Sequence, residues 1–174
     1  NLFAYTGGAT LACSMAGAGE VVHVDASKGM ISRAKENVKA SGLSEHYIRF
    51  MAEDCNRFVE REIRRGRKYD GIIMDPPAYG RGQSGELWKL EDALFPLVEK
   101  CANLLSDTPV FFLINSYTTG LSALVLENIL NLTVKSHHGG EAVADELGLK
   151  ASKMDLILPC GSVGRWTPDR INIV

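Results

Sequence analysis

The stretch Tyr69-Asp70-Gly71-Ile72-Ile73-Met74-Asp75-Pro76-Pro77-Ala78-Tyr79-Gly80-Arg81-Gly82 decides the fold. Its Gly-Ile-Ile-Met run at 71–74 is short, continuous and apolar, as a strand covered on both faces requires. The run stops at Asp75-Pro76-Pro77. Proline has no N–H and a fixed φ, so two in succession end sheet pairing and stiffen the chain just past the strand. That carboxyl end is where open α/β sheets bind ligands. A carboxylate (Asp75), a rigid turn (Pro76, Pro77) and an aromatic ring (Tyr79) arrive there together, and we take these four as the candidate catalytic group.

Working outward, strands and helices alternate, the pattern of βαβ units and a parallel sheet. Residues 1–4 end a strand, Tyr5-Thr6-Gly7-Gly8 turns, and an Ala-rich helix at 9–18 closes at Gly19. A second strand covers 21–25 and leaves Asp25 at its carboxyl end. Ser27 caps a helix reaching about residue 40 and stopped at Gly42. A third strand spans 47–51, and a helix at 54–65 ends at Gly66. After the central stretch, leucines at 3–4 spacing predict one long helix over 86–105. A buried strand follows at 109–114, then a helix at 121–132. The tail, 140–150 and 156–166, reads as two strands joined by a polar turn, an antiparallel pair. No repeat, low-complexity tract or linker interrupts the 174 residues, so one domain over 1–174 is expected. Because Asn1-Leu2-Phe3-Ala4 reads as the last half of a buried strand, we expect a fragment lacking its N-terminal part.

Composition narrows the function. No apolar run approaches the roughly 20 residues of a membrane span, and no signal peptide is visible. The four cysteines (Cys13, Cys55, Cys101, Cys160) form no C-x-x-C pair, which argues against structural zinc and for a reduced, cytoplasmic setting. His137-His138 has no acidic partner at ligand spacing, so no metal is expected. A net charge of −2 argues against gripping nucleic acid by charge alone. The basic run Arg57, Arg61, Arg64, Arg65, Arg67, Lys68 is read first as a solvated helix face, with RNA contact as the sharper alternative.

Three motifs line up with the Asp-Pro-Pro turn. The glycine turn after the first strand lets backbone N–H groups approach a ligand, although it is not a G-x-G-x-x-G fingerprint. Asp25 stands where an acid accepts hydrogen bonds from ribose hydroxyls, or else merely caps the next helix. Glu53-Asp54 follows the third strand. There Asp54 serves either as an N-cap or, with the N–H of Cys55, as a partner for adenine. Each motif falls at the carboxyl edge of the same sheet.

In this order and spacing the residues resemble the class I S-adenosylmethionine-dependent methyltransferases, over nearly the whole chain. Asn1-Leu2-Phe3-Ala4-Tyr5-Thr6-Gly7-Gly8 and Asp75-Pro76-Pro77 are most similar to the bacterial branch containing the 23S rRNA large-subunit methyltransferases. Gly85-Glu86-Leu87-Trp88 and Arg165-Trp166 resemble its less characterised members. The resemblance implies a Rossmann-like, seven-stranded, mostly parallel sheet with helices on both faces and a C-terminal antiparallel strand pair. It implies S-adenosylmethionine as cofactor and a base of RNA, rRNA above all, as substrate. Phe3, Tyr5, Thr6 and Gly7 would meet the methionine and ribose side, Asp25 with Ala26 the ribose, Asp54 with Cys55 the adenine, and Asp75 the methyl end. The loop Asn115-Ser116-Tyr117-Thr118 lacks the nucleophilic cysteine of cytosine-C5 relatives, and Ala78 follows the prolines where other branches carry cysteine or tyrosine. With Cys13 and Cys101 expected in the core, transfer should be thiol-independent and directed to nitrogen. Tyr79 would then stack on a flipped base, or simply pack on the rim, while Arg81 and Lys89 would meet phosphates. Two rivals are a nicotinamide-dependent oxidoreductase, disfavoured by the missing fingerprint, and a cofactor-binding module inactive alone.

Overall fold

The computed structural model describes residues 1–81, 87–118 and 120–169. Strand β1 (Val21–Asp25) pairs in parallel with β2 (Ile48–Ala52). Strand β3 (Gly71–Met74) pairs in parallel with β6 (Phe111–Ser116). The two pieces meet at Leu2, which bridges Val24 on one side and Met74 on the other, both in parallel. Its N–H donates to Ile73 O at 2.8 Å, and the Ala4 N–H to Val24 O at 3.0 Å. Beyond β6 lies β8 (Ile157–Thr167), antiparallel to β6 and to β7 (Glu141–Lys150). The expected antiparallel tail pair is therefore present.

Helices follow their caps. α1 (Gly8–Met15) starts after Gly7; Ser27 Oγ accepts the Met30 N–H at the start of α2 (Lys28–Ala40); Asp54 Oδ1 accepts the Arg57 N–H at the start of α3 (Cys55–Arg64). The core is a single cluster in which Met74, Phe112, Ile114 and Trp166 from the strands meet Leu94, Val98 and Cys101 of α4 (Leu90–Ala102) and Leu126 and Leu130 of α5 (Ala123–Leu130). Burial of each large apolar side chain is worth about 1.5–3 kcal/mol, so this cluster fixes the sheet order and hence the edge that carries the motifs.

Three expectations need correction. The predicted helix over 86–105 is instead a small hairpin, β4 (Tyr79–Arg81) with β5 (Leu87–Lys89), followed by α4. The Leu87 side chain that seemed to begin the stripe is 50% exposed. The acids Glu91 and Asp92 mark the true first turn, where they suit the helix dipole. Leu104 and Leu105 stay buried in the turn after α4, which is why the periodicity ran on. The first helix closes at Ala16 with Gly17 at φ 91°, ahead of Gly19. Its inward residues are Thr10 and Ser14, hydrogen-bonded to His23 and His46, so Cys13 is half-buried and not core. The helix predicted to 132 loosens into a π-helical turn, Asn131–Lys135, where Thr133 Oγ1 donates back to Ile129 O at 2.6 Å. The basic run is largely the solvated face expected: Arg57, Arg64, Arg65, Arg67 and Lys68 are exposed, and only Arg61 is half-buried, paired with Glu53 and Glu62.

Candidate active site

The turn between Leu2 and α1 is held by Asp25. Its Oδ2 accepts the Tyr5 N–H at 2.9 Å and its Oδ1 the Ser27 N–H at 2.8 Å. One carboxylate at the end of β1 therefore ties the first loop to the second. Phe3 (φ 52°) and Tyr5 (φ 48°) both take left-handed backbone angles, unusual for bulky residues. Gly7 is left-handed at φ 93°, which favours glycine, and a Cβ there would meet Ala34 Cβ at a tight 3.3 Å. Asn37 Nδ2 donates to Thr6 O at 2.9 Å, and the Phe3 N–H donates to Cys55 Sγ at 3.2 Å. Cys55 thus holds the turn at residues 3–8 through its sulfur, a contact the sequence did not disclose.

Beneath the turn, Asn1 Nδ2 donates to Thr10 Oγ1, which meets His23 Nδ1 at 2.9 Å. Burial lowers the His23 pKa to about 4, so the ring is neutral. A cavity of about 280 Å³, just under the usual range for small-molecule sites, is lined by Phe3, Tyr5, Thr6, Asp75 and Asn115. Asp75 Oδ1 is buried without a hydrogen-bond partner among the described residues, and burial raises the Asp75 pKa. An orphaned acceptor in a cavity wall awaits a donor. Tyr117, just past β6, is 59% exposed, and its pKa is raised by burial and by the Asp75 charge.

The expected residues separate into groups. Phe3, Tyr5, Thr6 and Asp75 share the cavity; Asp25 reaches it through the Tyr5 N–H and Cys55 through the Phe3 N–H. Gly7 caps α1, and Ala26 follows Asp25 at half exposure. The Asp54 carboxylate is turned to its cap, the blander of its two readings. Pro76 and Pro77 are not among the cavity residues; Tyr79 stands outside at 58% exposure, and so does exposed Lys89. The Arg81 side chain, Gly85 and Glu86 lie outside the described residues. Asn115, Asn37 and Trp88 were missed, although a polar residue ending the strand at 109–114 was a usable signal for Asn115. No group of three metal-ligating side chains occurs among the described residues, and none of their helices is long and apolar enough to cross a membrane. A larger cavity, about 680 Å³, lies at the amino ends of β1 and β3 beside Val21, Gly71 and Val110, away from residues 3–8 and Asp75. Size alone does not mark the site.

A family model described as S-adenosylmethionine-dependent methyltransferase matches residues 1–129. The ribosomal RNA large subunit methyltransferase K/L of Syntrophotalea carbinolica is 32% identical over 141 residues, 77% of this chain and 19% of that protein. The ribosomal RNA large subunit methyltransferase I of Erwinia tasmaniensis is 37% identical over 79 residues, 45% of this chain and 20% of that protein. This chain therefore spans about a fifth of the length of these curated relatives. A solved SAM-dependent methyltransferase from Agrobacterium tumefaciens superposes with a TM-score of 0.90 at 38% identity, covering 97% of this chain and 55% of that one.

Proposed function

Since the chain belongs to the S-adenosylmethionine-dependent methyltransferases, we propose that it transfers that cofactor's methyl group to a nitrogen on a base of RNA, large-subunit rRNA in particular. The observation that carries this reading is the buried, unpartnered Asp75 Oδ1 beside two residues without N–H groups. A base amine is the donor such an acceptor lacks.

The residues present fit the cofactor. Asp25 uses one lone pair per oxygen on Tyr5 and Ser27, leaving others for ribose hydroxyls. Phe3, Tyr5, Thr6 and Gly7 form the turn beside it; Ala26 would extend the ribose wall, and the Cys55 N–H, with the Asp54 oxygen not used in its cap, would hold adenine. When bound, S-adenosylmethionine supplies an electrophilic methyl group on a sulfonium. Asp75 Oδ1 would accept a hydrogen bond from the amine, orient its lone pair and take the proton released as the N–C bond forms and the C–S bond breaks, with S-adenosylhomocysteine leaving. The raised pKa of Asp75 suits that base role. Tyr79 and Tyr117, both exposed, offer π-faces to an unstacked base. Both relatives described above are large-subunit rRNA methyltransferases, which supports that substrate class.

The same reading takes Leu2 as part of the central strand of a seven-stranded sheet, in the order β2, β1, Leu2, β3, β6, β8, β7, within one domain over residues 1–174. Four free cysteines accord with a reducing, cytoplasmic setting. The test is incubation with methyl-tritiated cofactor and deproteinised large-subunit rRNA, followed by mass spectrometry of nucleosides. An N-methylated base is expected. Normal binding of S-adenosylhomocysteine with no label in RNA, free or assembled in subunits, would overturn the substrate assignment.

A further inference from the structure

Two carbonyls anchor the Asp75–Ala78 loop from outside. Trp88 Nε1–H donates to Pro77 O at 2.7 Å, and the Leu90 N–H donates to Ala78 O at 3.0 Å. Neither proline can donate, so the loop has little means of holding itself. Among the described residues this leaves the Asp75 carboxylate, with Oδ1 buried, and the Pro76 carbonyl as acceptors without a protein partner.

Trp88 does more than hold that carbonyl. It stands opposite Gly80 in the β4–β5 hairpin, and its ring packs on Phe3 with centroids 5.1 Å apart at 51°. Phe3 belongs to the cofactor turn and donates its N–H to Cys55 Sγ. One side chain therefore touches both the turn that holds the cofactor and the loop that meets the methyl acceptor. Core packing explains the ring, since half-buried Trp88 lies against the main cluster. It does not explain the N–H, which a half-exposed indole could as well give to water.

We propose that Trp88 is a positioning residue for methyl transfer: it takes the Pro77 carbonyl out of play, leaves the Asp75 carboxylate and the Pro76 carbonyl free to accept, and fixes their place relative to Phe3. The inference rests on the reading that the acceptor is a base amine, which needs two acceptors for its two N–H groups.

The experiment uses Trp88→Phe, which keeps a ring against Phe3 and removes the donor. With large-subunit rRNA as probe, kcat should fall tenfold or more, while KM for RNA and the Kd for S-adenosylhomocysteine stay within threefold. Unchanged kcat, or equal losses in kcat and cofactor affinity, would overturn the proposal. A second measurement needs no activity. The chain has two tryptophans, Trp88 and Trp166, so two indole N–H signals are expected from 15N-tryptophan-labelled protein. Trp166→Phe or Trp88→Phe assigns them. The Trp88 signal should exchange slowly with deuterium and shift on adding S-adenosylhomocysteine. Exchange at the rate of free indole, or no shift, would overturn the proposal even if rRNA proved not to be the substrate. Failure of the wild-type protein to label any RNA, with a protected and shifting indole, would instead count against the RNA reading and for the Trp88 contact.

Discussion

Asp25→Asn should uncouple the cofactor turn without emptying its space. The carboxylate now accepts from two backbone N–H groups, Tyr5 at 2.9 Å and Ser27 at 2.8 Å. An amide offers one oxygen and one NH2, so one of the two donors would face another donor. Losing a charge-assisted bond costs on the order of 1.5–3 kcal/mol, and the surviving bond weakens as it becomes neutral. Both bonds are solvent-exposed, so we take the lower part of that range, about 2 kcal/mol. At 1.4 kcal/mol per factor of ten this is a loss of roughly 30-fold in cofactor affinity. Calorimetric titration of the variant with S-adenosylhomocysteine measures it, with Asp25→Ala as companion to show the effect of removing both acceptors. Affinity for Asp25→Asn within threefold of wild type, in a protein that still melts normally, would refute the clamp.

Three further outcomes are expected. Asp75→Asn should abolish most methyl transfer yet raise the melting temperature at pH 7. The folded pKa of Asp75 is raised, so its ionised form costs stability above the unfolded value and costs nothing below it; a melting gain that persisted well below pH 3 would contradict this. For His23 the sign is opposite to that of Asp75's cost. Its folded pKa is lowered from 6.5 to about 4, so the unfolded chain binds the extra proton and stability rises with pH across that window, by roughly 3 kcal/mol in all. Denaturant unfolding from pH 4 to 7 should show the slope, and His23→Gln should flatten it. Cys160→Ala should retain full activity and wild-type protein should form no adduct on 5-fluorocytosine RNA, because burial pushes Cys55 up to about 12 and raises Cys101 further from the thiolate range; an adduct lost in the variant would make this a carbon-5 enzyme.

Legibility in the sequence followed the range of the interactions. Strand-ending acids and proline pairs act locally, so Asp25, Asp54 and the Asp75 turn could be placed from their neighbours in the chain. The caps at Ser27 and Asp54 were readable for the same reason. Long-range pairing was not. Leu87 sits at helical spacing with the leucines of α4, and only the pairing of Leu87, Trp88 and Lys89 with Arg81, Gly80 and Tyr79 reveals a hairpin. The sulfur of Cys55 beneath Phe3 bridges 52 positions, and Asn37 reaches Thr6 across 31. Cys13 was misplaced because an Ala-rich helix looks apolar all round, whereas α1 turns Thr10 and Ser14 inward to meet two histidines.

The left-handed angles of Phe3 and Tyr5 carry a consequence for how this protein can be improved or damaged. Each such residue withholds about 1–3 kcal/mol from folding. Glycine at position 5 would relieve that burden and make the ligand-free protein harder to melt. It would also release the chain into many more conformations, so that every binding event had to gather them again. The turn is thus preorganised at the expense of global stability. Screens that select only for thermal resistance should drift toward glycine and asparagine at positions 3 and 5 and lose cofactor affinity as they succeed.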